Sequence, residues 1–171
     1  MIQIYHGDGK GKTSAAIGVA IRAAGRNMQV LFVQFLKSDD SGERKVLEQI
    51  GGITMMPCPV ELDFTYNMTD VQKAQASKIF REMFDHSVRT ALTSNYSVLI
   101  MDEIFSAIDT GMISENEVYN FLTNAPTKLE IVLTGRNPSK KFIDLADYVS
   151  NIVKEKHPFD KGIRARVGIE Y

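Results

Sequence analysis

The stretch of this chain that leaves the fewest folds open is its first 25 residues, MIQIYHGDGKGKTSAAIGVAIRAAG. Residues 1–5 alternate apolar and polar side chains as a strand does, and from Lys12 onward nearly every position carries a helix former or an apolar residue. Between them lies His6-Gly7-Asp8-Gly9-Lys10-Gly11-Lys12-Thr13. The Walker A phosphate-loop pattern, G-x-x-x-x-G-K-[ST], asks for glycine where His6 stands; the remainder, Gly11-Lys12-Thr13, is intact. The stretch is therefore a variant of that loop, set between a strand and a helix.

The chemistry survives the variation. Gly7, Gly9 and Gly11 let successive backbone N–H groups curl around a polyphosphate with no Cβ in the way. The following helix adds partial positive charge at the same point. On this reading Lys12 reaches phosphate oxygens as a point charge, Lys10 adds a second cation, and the Thr13 hydroxyl completes a Mg²⁺ shell. The bland alternative is a glycine-rich turn with unrelated lysines, and the flanking strand and helix weigh against it.

Basic and acidic residues number 20 and 21 and are interspersed, for a net charge of −1. That lacks the electrostatic footprint of a nucleic-acid binder, so an anion site must be local. Cys58 is the single cysteine, which excludes an intramolecular disulfide framework and a multi-cysteine metal centre and leaves a buried, inert thiol as its expected role. A chain of 171 residues with 44% hydrophobic content has room for one compact α/β domain, residues 1–171, with a real core. A strand starting at Met1 leaves no room for a signal peptide, and no apolar run approaches the roughly 18 residues of a membrane span. A cytoplasmic protein with no membrane partner is expected.

Further along, residues 29–35 (QVLFVQF) form a nearly continuous apolar run, typical of a strand buried on both faces. A short helix is expected over 43–50, and a third strand over 53–56 ends at Pro57 and Pro59. Residues 60–67 (VELDFTYN) carry Phe64 and Tyr66 without a helical period; they either fold into the core margin or face a flat ligand. Thr69-Asp70-Val71-Gln72 is a capping box, and the helix it opens runs to about Thr93 with an apolar stripe of Val71, Ala74, Ile79, Met83, Val88, Ala91 and Leu92. His86 in this helix has no metal-ligand partner at i+3 or i+4.

Residues 97–102 (SVLIMD) are the strongest buried strand and deliver Asp102 and Glu103 at its carboxyl end, where a Walker B carboxylate belongs. An aspartate there holds Mg²⁺ directly or through water, and the glutamate is a second ligand or a base; alternatively Asp102 only caps the next segment. A short helix over 104–111 and a capped helix from Ser114 to about Asn124 follow. Then comes a strand over 130–134 with Gly135 and Arg136 at its end. Arg136 either meets a phosphate or carboxylate on the ligand side of the sheet or makes a structural ion pair. A short helix over 139–146 precedes two late strands or extended segments, 148–156 and 164–170. The fold class is α/β: a mostly parallel, P-loop NTPase-like (RecA-like) sheet with helices on both faces.

The whole chain resembles the P-loop family of ATP:corrinoid adenosyltransferases. The resemblance begins with YHGDGKGKTSAAIG, since that family's loop also reads GDGKGKT or GNGKGKT after a residue other than glycine. It continues through Val33-Gln34-Phe35-Leu36-Lys37, Asp63-Phe64-Thr65-Tyr66, Met101-Asp102-Glu103-Ile104, Leu133-Thr134-Gly135-Arg136, Leu145-Ala146-Asp147 and Lys156-His157-Pro158-Phe159 to Gly168-Ile169-Glu170-Tyr171. Tyr66 stands where the family commonly has tryptophan, Asp63 where it has glycine, and Ser14 where it often has a second threonine.

The resemblance implies transfer of the 5′-deoxyadenosyl group from ATP to the Co(I) centre of a reduced corrinoid, with release of triphosphate. It implies nucleotide binding by Gly7, Asp8, Gly9, Lys10, Gly11, Lys12, Thr13, Ser14 and Arg136, and Mg²⁺ (or Mn²⁺) held by Thr13, Asp102 and Glu103. Lys12, Glu103, Phe64 and Tyr66 become the catalytic set, the aromatic pair meeting the corrinoid's lower face. A homodimer and an electron-donor protein such as a flavodoxin are implied as partners. Two other readings stay open: a P-loop phosphotransferase or ATPase such as a nucleoside kinase, with Glu103 as general base, and a non-catalytic ATP-responsive binding module.

Overall fold

The computed structural model describes residues 1–37, 41–58 and 69–170. Among them, strands β1 (Ile2–His6), β2 (Val30–Gln34), β3 (Ile53–Met55), β4 (Val98–Asp102), β5 (Glu130–Gly135) and β6 (Tyr148–Asn151) form one sheet in the order β3-β2-β4-β5-β1-β6. Every neighbouring pair is parallel. Parallel neighbours need crossover connections, and α1 (Lys12–Ala24), α2 (Gly42–Leu47), α3 (Asp70–Thr93), α4 (Ile104–Asp109), α5 (Glu115–Asn124) and α6 (Lys140–Leu145) lie between strands. The loop strand β1 and the carboxylate strand β4 flank β5, so their carboxyl ends are one strand apart.

Strand alternation divides the core into two layers. Val30, Phe32, Val98, Ile100 and Val132 point to one face, where they pack with Ala16, Ala20 and Ala23 of α1. Leu31, Val33, Leu99, Met101, Ile131 and Leu133 point to the other, against Phe80, Met83 and Phe84 of α3, Phe105 of α4 and Leu122 of α5. The small α1 residues let that helix lie close to the sheet, which places its first turn beside the ends of β1 and β4. Burying a side chain such as Phe80 or Phe105 stabilises by roughly 1.5–3 kcal/mol. Cys58 is buried, as expected.

Three expectations change. The buried face of α3 is Ala76, Phe80, Met83, Phe84, Ser87 and Ala91, whereas Val71 and Leu92 are exposed. Ser87 fits that face because its hydroxyl donates to the Phe84 carbonyl at 2.7 Å, satisfying it within the helix. The segment expected to be extended over 148–156 is a strand only to Asn151, and residues 158–161 form a single 3-10 turn. Residues 164–170 form no strand: the amides of Ile169 and Glu170 both donate to the Arg166 carbonyl, and Gly162 and Gly168 have φ of 72° and 75°.

Candidate active site

The phosphate loop turns on two glycines in backbone conformations that disfavour side chains, Gly7 at φ 116° and Gly11 at φ 122°. Gly7 N–H donates to the Arg136 carbonyl at 3.2 Å and Gly9 N–H to the Ile152 carbonyl at 2.8 Å. Those two amides are thus committed to the scaffold. A Cβ at Gly9 would stand 2.7 Å from the Ile152 oxygen and 2.8 Å from the Val153 carbonyl carbon, so this position admits no side chain without moving that segment. Asp8 also serves the scaffold, its carboxylate accepting the Lys154 N–H at 3.0 Å; that bond holds its pKa below the ordinary value.

The first intrahelical bond of α1 runs from Ala15 N–H to the Gly11 carbonyl. The amides of residues 11–14 therefore have no partner within the helix, and residues 10–14 line a cavity of about 450 Å³. Lys12 is buried, and its ammonium donates to the Gly9 carbonyl at 2.8 Å. Burial lowers its pKa, Glu103 opposes the shift, and Arg136 adds to it. Arg136 is exposed and forms no ion pair among the described residues. Lys37, Glu43 and Glu103 complete one wall of the cavity, and residues 168–170 close another.

Asp102, at the end of β4, is fully buried and fully partnered. Its carboxylate accepts from Thr134 Oγ1 at 2.7 Å, Lys37 Nζ at 2.9 Å, Thr13 Oγ1 at 3.0 Å and Gln34 Nε2 at 3.2 Å. A buried carboxylate is tolerated on such terms, with a paired charge and filled lone pairs. Lys37 also donates to Thr13 Oγ1 at 3.1 Å and Glu43 Oε1 at 3.3 Å, and Gln34 Nε2 donates to Glu43 at 3.0 Å. Burial disfavours the Lys37 ammonium, but the Asp102 and Glu43 carboxylates outweigh it and raise its pKa. Glu43 is likewise penalised by burial, yet hydrogen bonds from Gln34 and Lys37 leave its pKa lowered.

Two strand ends carry strain here. Leu36 after β2 and Glu103 after β4 have φ of 56° and 60°, a left-handed conformation that costs about 1–2 kcal/mol for a residue with a side chain. The Glu103 turn is held by its N–H donating to Thr134 Oγ1 at 2.8 Å. Its carboxylate accepts from Ser106 in the first turn of α4 and faces the cavity near Lys12. At the far wall Glu170 accepts from Lys10 Nζ at 3.2 Å and from Arg166; the Arg166 bonds take its pKa down to about 2.

The fold therefore brings together Lys10, Lys12, Thr13, Ser14 and Glu103 around one cavity, with Asp102 behind Thr13. Phe64 and Tyr66 lie outside the described residues. Sequence reasoning assigned no role to Gln34, Lys37, Glu43, Thr134 or Glu170. One signal was available for Gln34, a polar residue ending an otherwise apolar run.

A parallel sheet with a glycine-rich loop running from β1 into α1 and a carboxylate ending β4 defines a P-loop NTPase fold. Among solved structures, the KaiC-like protein PH0186 of Pyrococcus horikoshii OT3 has a similar fold, with a TM-score of 0.50 at 17% identity over 91% of this chain and 74% of that one. Residues 1–171 match the family ATP:corrinoid adenosyltransferase BtuR/CobO/CobP, and the chain belongs to that family. It is 33% identical to the corrinoid adenosyltransferase of Escherichia coli (strain K12) and 31% identical to corrinoid adenosyltransferase CobA of Salmonella typhimurium (strain LT2), in both cases over 100% of this chain and 85% of the relative.

Proposed function

We propose that this chain is a transferase that moves the 5′-deoxyadenosyl group of ATP to the Co(I) centre of a reduced corrinoid. Its membership of the adenosyltransferase family over residues 1–171 carries the reading. In the reaction the Co(I) electron pair attacks the ribose C5′ and becomes the Co–C bond, while the C5′–O5′ bond breaks and its bonding pair leaves on the oxygen of the whole triphosphate. No attacking water is activated.

The chain's own work is to hold the leaving group. Lys10, Lys12 and residues 11–14, whose amides have no partner within the helix, line the cavity, and charge growing on the departing triphosphate is stabilised by cations and amides fixed in advance. Thr13, Asp102 and Glu43 present three oxygens within 3.3 Å of the Lys37 ammonium. A donor set that converges on one cation fits Mg²⁺ or Mn²⁺, with Thr13 and Asp102 as holders and Glu103 on the cavity wall. A divalent cation there would neutralise phosphate charge. Arg136 and Ser14 complete the nucleotide site on this reading.

Phe64 and Tyr66, at the places of the family's aromatic pair, are read as the corrinoid contact. Cys58, the last described residue before them, follows β3, whose carboxyl end lies at the edge of the sheet that carries the cavity. Exposed Tyr148 and Val149 on edge strand β6 and Val153 just after it, with Phe159 and Val167, support a homodimer surface. No helix among the described residues is long and apolar enough to cross a membrane. A cytoplasmic setting with a flavodoxin-like electron donor belongs to the same reading.

The test is optical. ATP, Mg²⁺ and chemically reduced cobalamin mixed with the protein should yield a light-sensitive alkylcobalt spectrum, and its absence refutes the reading. Phe64→Ala and Tyr66→Ala should spare ATP binding and slow that spectral change; wild-type rates in both would return the aromatic pair to packing.

A further inference from the structure

Lys37 occupies a place that a side chain reaches only by effort. β2 ends at Gln34, and Leu36 takes φ 56° without being glycine, which turns the chain so that Lys37 folds back over the strand ends. Its ammonium then meets Asp102 Oδ2 at 2.9 Å, Thr13 Oγ1 at 3.1 Å and Glu43 Oε1 at 3.3 Å. Two of these groups, the hydroxyl following the loop lysine and the carboxylate ending β4, are the ones that the preceding section assigns to the divalent cation. Lys37 also lines the cavity with Lys10 and Lys12, so the same side chain faces both the carboxylates and the space for phosphates.

We propose that Lys37 is the resident cation of the nucleotide-free site, exchanged for the divalent cation when the triphosphate arrives. Without a positive charge, buried Asp102 would face Glu43 across a short gap bridged only by Gln34, two carboxylates with like charge in a poorly hydrated place. The ammonium prevents this and keeps Thr13 and Asp102 in register for a ligand that has not yet bound. Metal and ammonium compete for the same oxygens, so the protein binds the divalent cation weakly by itself. An incoming triphosphate offers the displaced ammonium new partners beside Lys10 and Lys12. Metal is thereby admitted with nucleotide rather than before it.

The inference rests on the cavity holding a triphosphate with a divalent cation, and its deciding readout, Mn²⁺ affinity, uses neither nucleotide nor corrinoid; product formation serves only to tell its failure from failure of the group-transfer reading. Mn²⁺ binding to the nucleotide-free protein is measured by electron paramagnetic resonance of unbound Mn²⁺ in wild type, Lys37→Met and Lys37→Gln. Removing a competitor for the same oxygens should tighten Mn²⁺ binding about 10-fold or more, within the usual range for coupling between two ligands. Adding Asp102→Asn to either variant should abolish the gain. Mn²⁺ affinity unchanged or weaker in both folded single variants overturns the proposal, as does a gain that survives Asp102→Asn. If Lys37→Met folds poorly, Lys37→Gln keeps polar hydrogen-bonding capacity in its place and gives the same reading. A variant that still forms the alkylcobalt product with no change in Mn²⁺ affinity would sink this inference and leave the group-transfer reading standing.

Discussion

Thr134→Val isolates what a single buried hydroxyl does for the site. Thr134 is fully buried at the end of β5, and its hydroxyl is used twice, donating to Asp102 Oδ1 at 2.7 Å and accepting the Glu103 N–H at 2.8 Å. Valine has nearly the same shape, so packing is preserved while both bonds vanish. Losing a hydrogen bond to a charged group costs about 1.5–3 kcal/mol, and leaving the Glu103 amide without its acceptor adds about 1–3 kcal/mol where water cannot replace it. Asp102 keeps Thr13, Gln34 and Lys37, so the two losses do not sum fully and a net destabilisation of about 2–4 kcal/mol is expected. For a chain of this size that is a fall in Tm of about 5–15 °C. Thr134→Ser keeps the hydroxyl and loses a methyl, for about 1 kcal/mol. Urea unfolding of both variants at unchanged slope is the assay. If valine costs no more than serine, the hydroxyl does not hold the Asp102–Glu103 turn and the reasoning fails.

Lys12→Ala should reduce kcat by about 10²–10³, the usual effect of removing one donor to transition-state charge, and near-normal turnover would dismiss the phosphate-loop assignment. Gly9→Ala should push the Ile152–Val153 segment away, costing about 1–3 kcal/mol in urea unfolding as other overpacked sites do; wild-type stability would contradict the close approach. ATP affinity should depend on pH through Lys12, whose pKa burial lowers. The charged form binds phosphate, so affinity is full below that lowered pKa and declines as pH rises through it, before the ordinary 10.5 of lysine. Titration calorimetry from about pH 7 to about 11.5 checks this, and a decline that begins only above 10.5 would refute it.

Much of the scaffold could be read locally. The β1–loop–α1 unit, the buried runs of β2 and β4 and the carboxylate ending β4 each follow from a pattern within a dozen residues, and their parallel pairing follows from the helices between them. The phase of α3 did not, because Ser87 satisfies its hydroxyl inside its own helix and so behaves as a core residue that no hydropathy pattern marks. The 164–170 segment departs from the strand or extended reading for a topological reason. β6 already covers the outer edge of β1, and two left-handed glycines turn the chain back toward Lys10.

The site divides in the same way. Lys12, Thr13 and Asp102 are legible because their spacing to the loop and strand is fixed. Lys37 reaches Asp102 across 65 positions only through the turn at Leu36, and no glycine marks that turn. Thr134 reads as an ordinary β-branched strand residue until the sheet order sets β5 beside β4.

The most direct measurement is the fate of the ATP phosphates, with Mg²⁺ present, in parallel reactions with and without reduced cobalamin. The account predicts inorganic triphosphate, formed only when the corrinoid is present and in step with the alkylcobalt product. ADP and phosphate in both reactions would contradict it, leaving a shared fold without the family's chemistry.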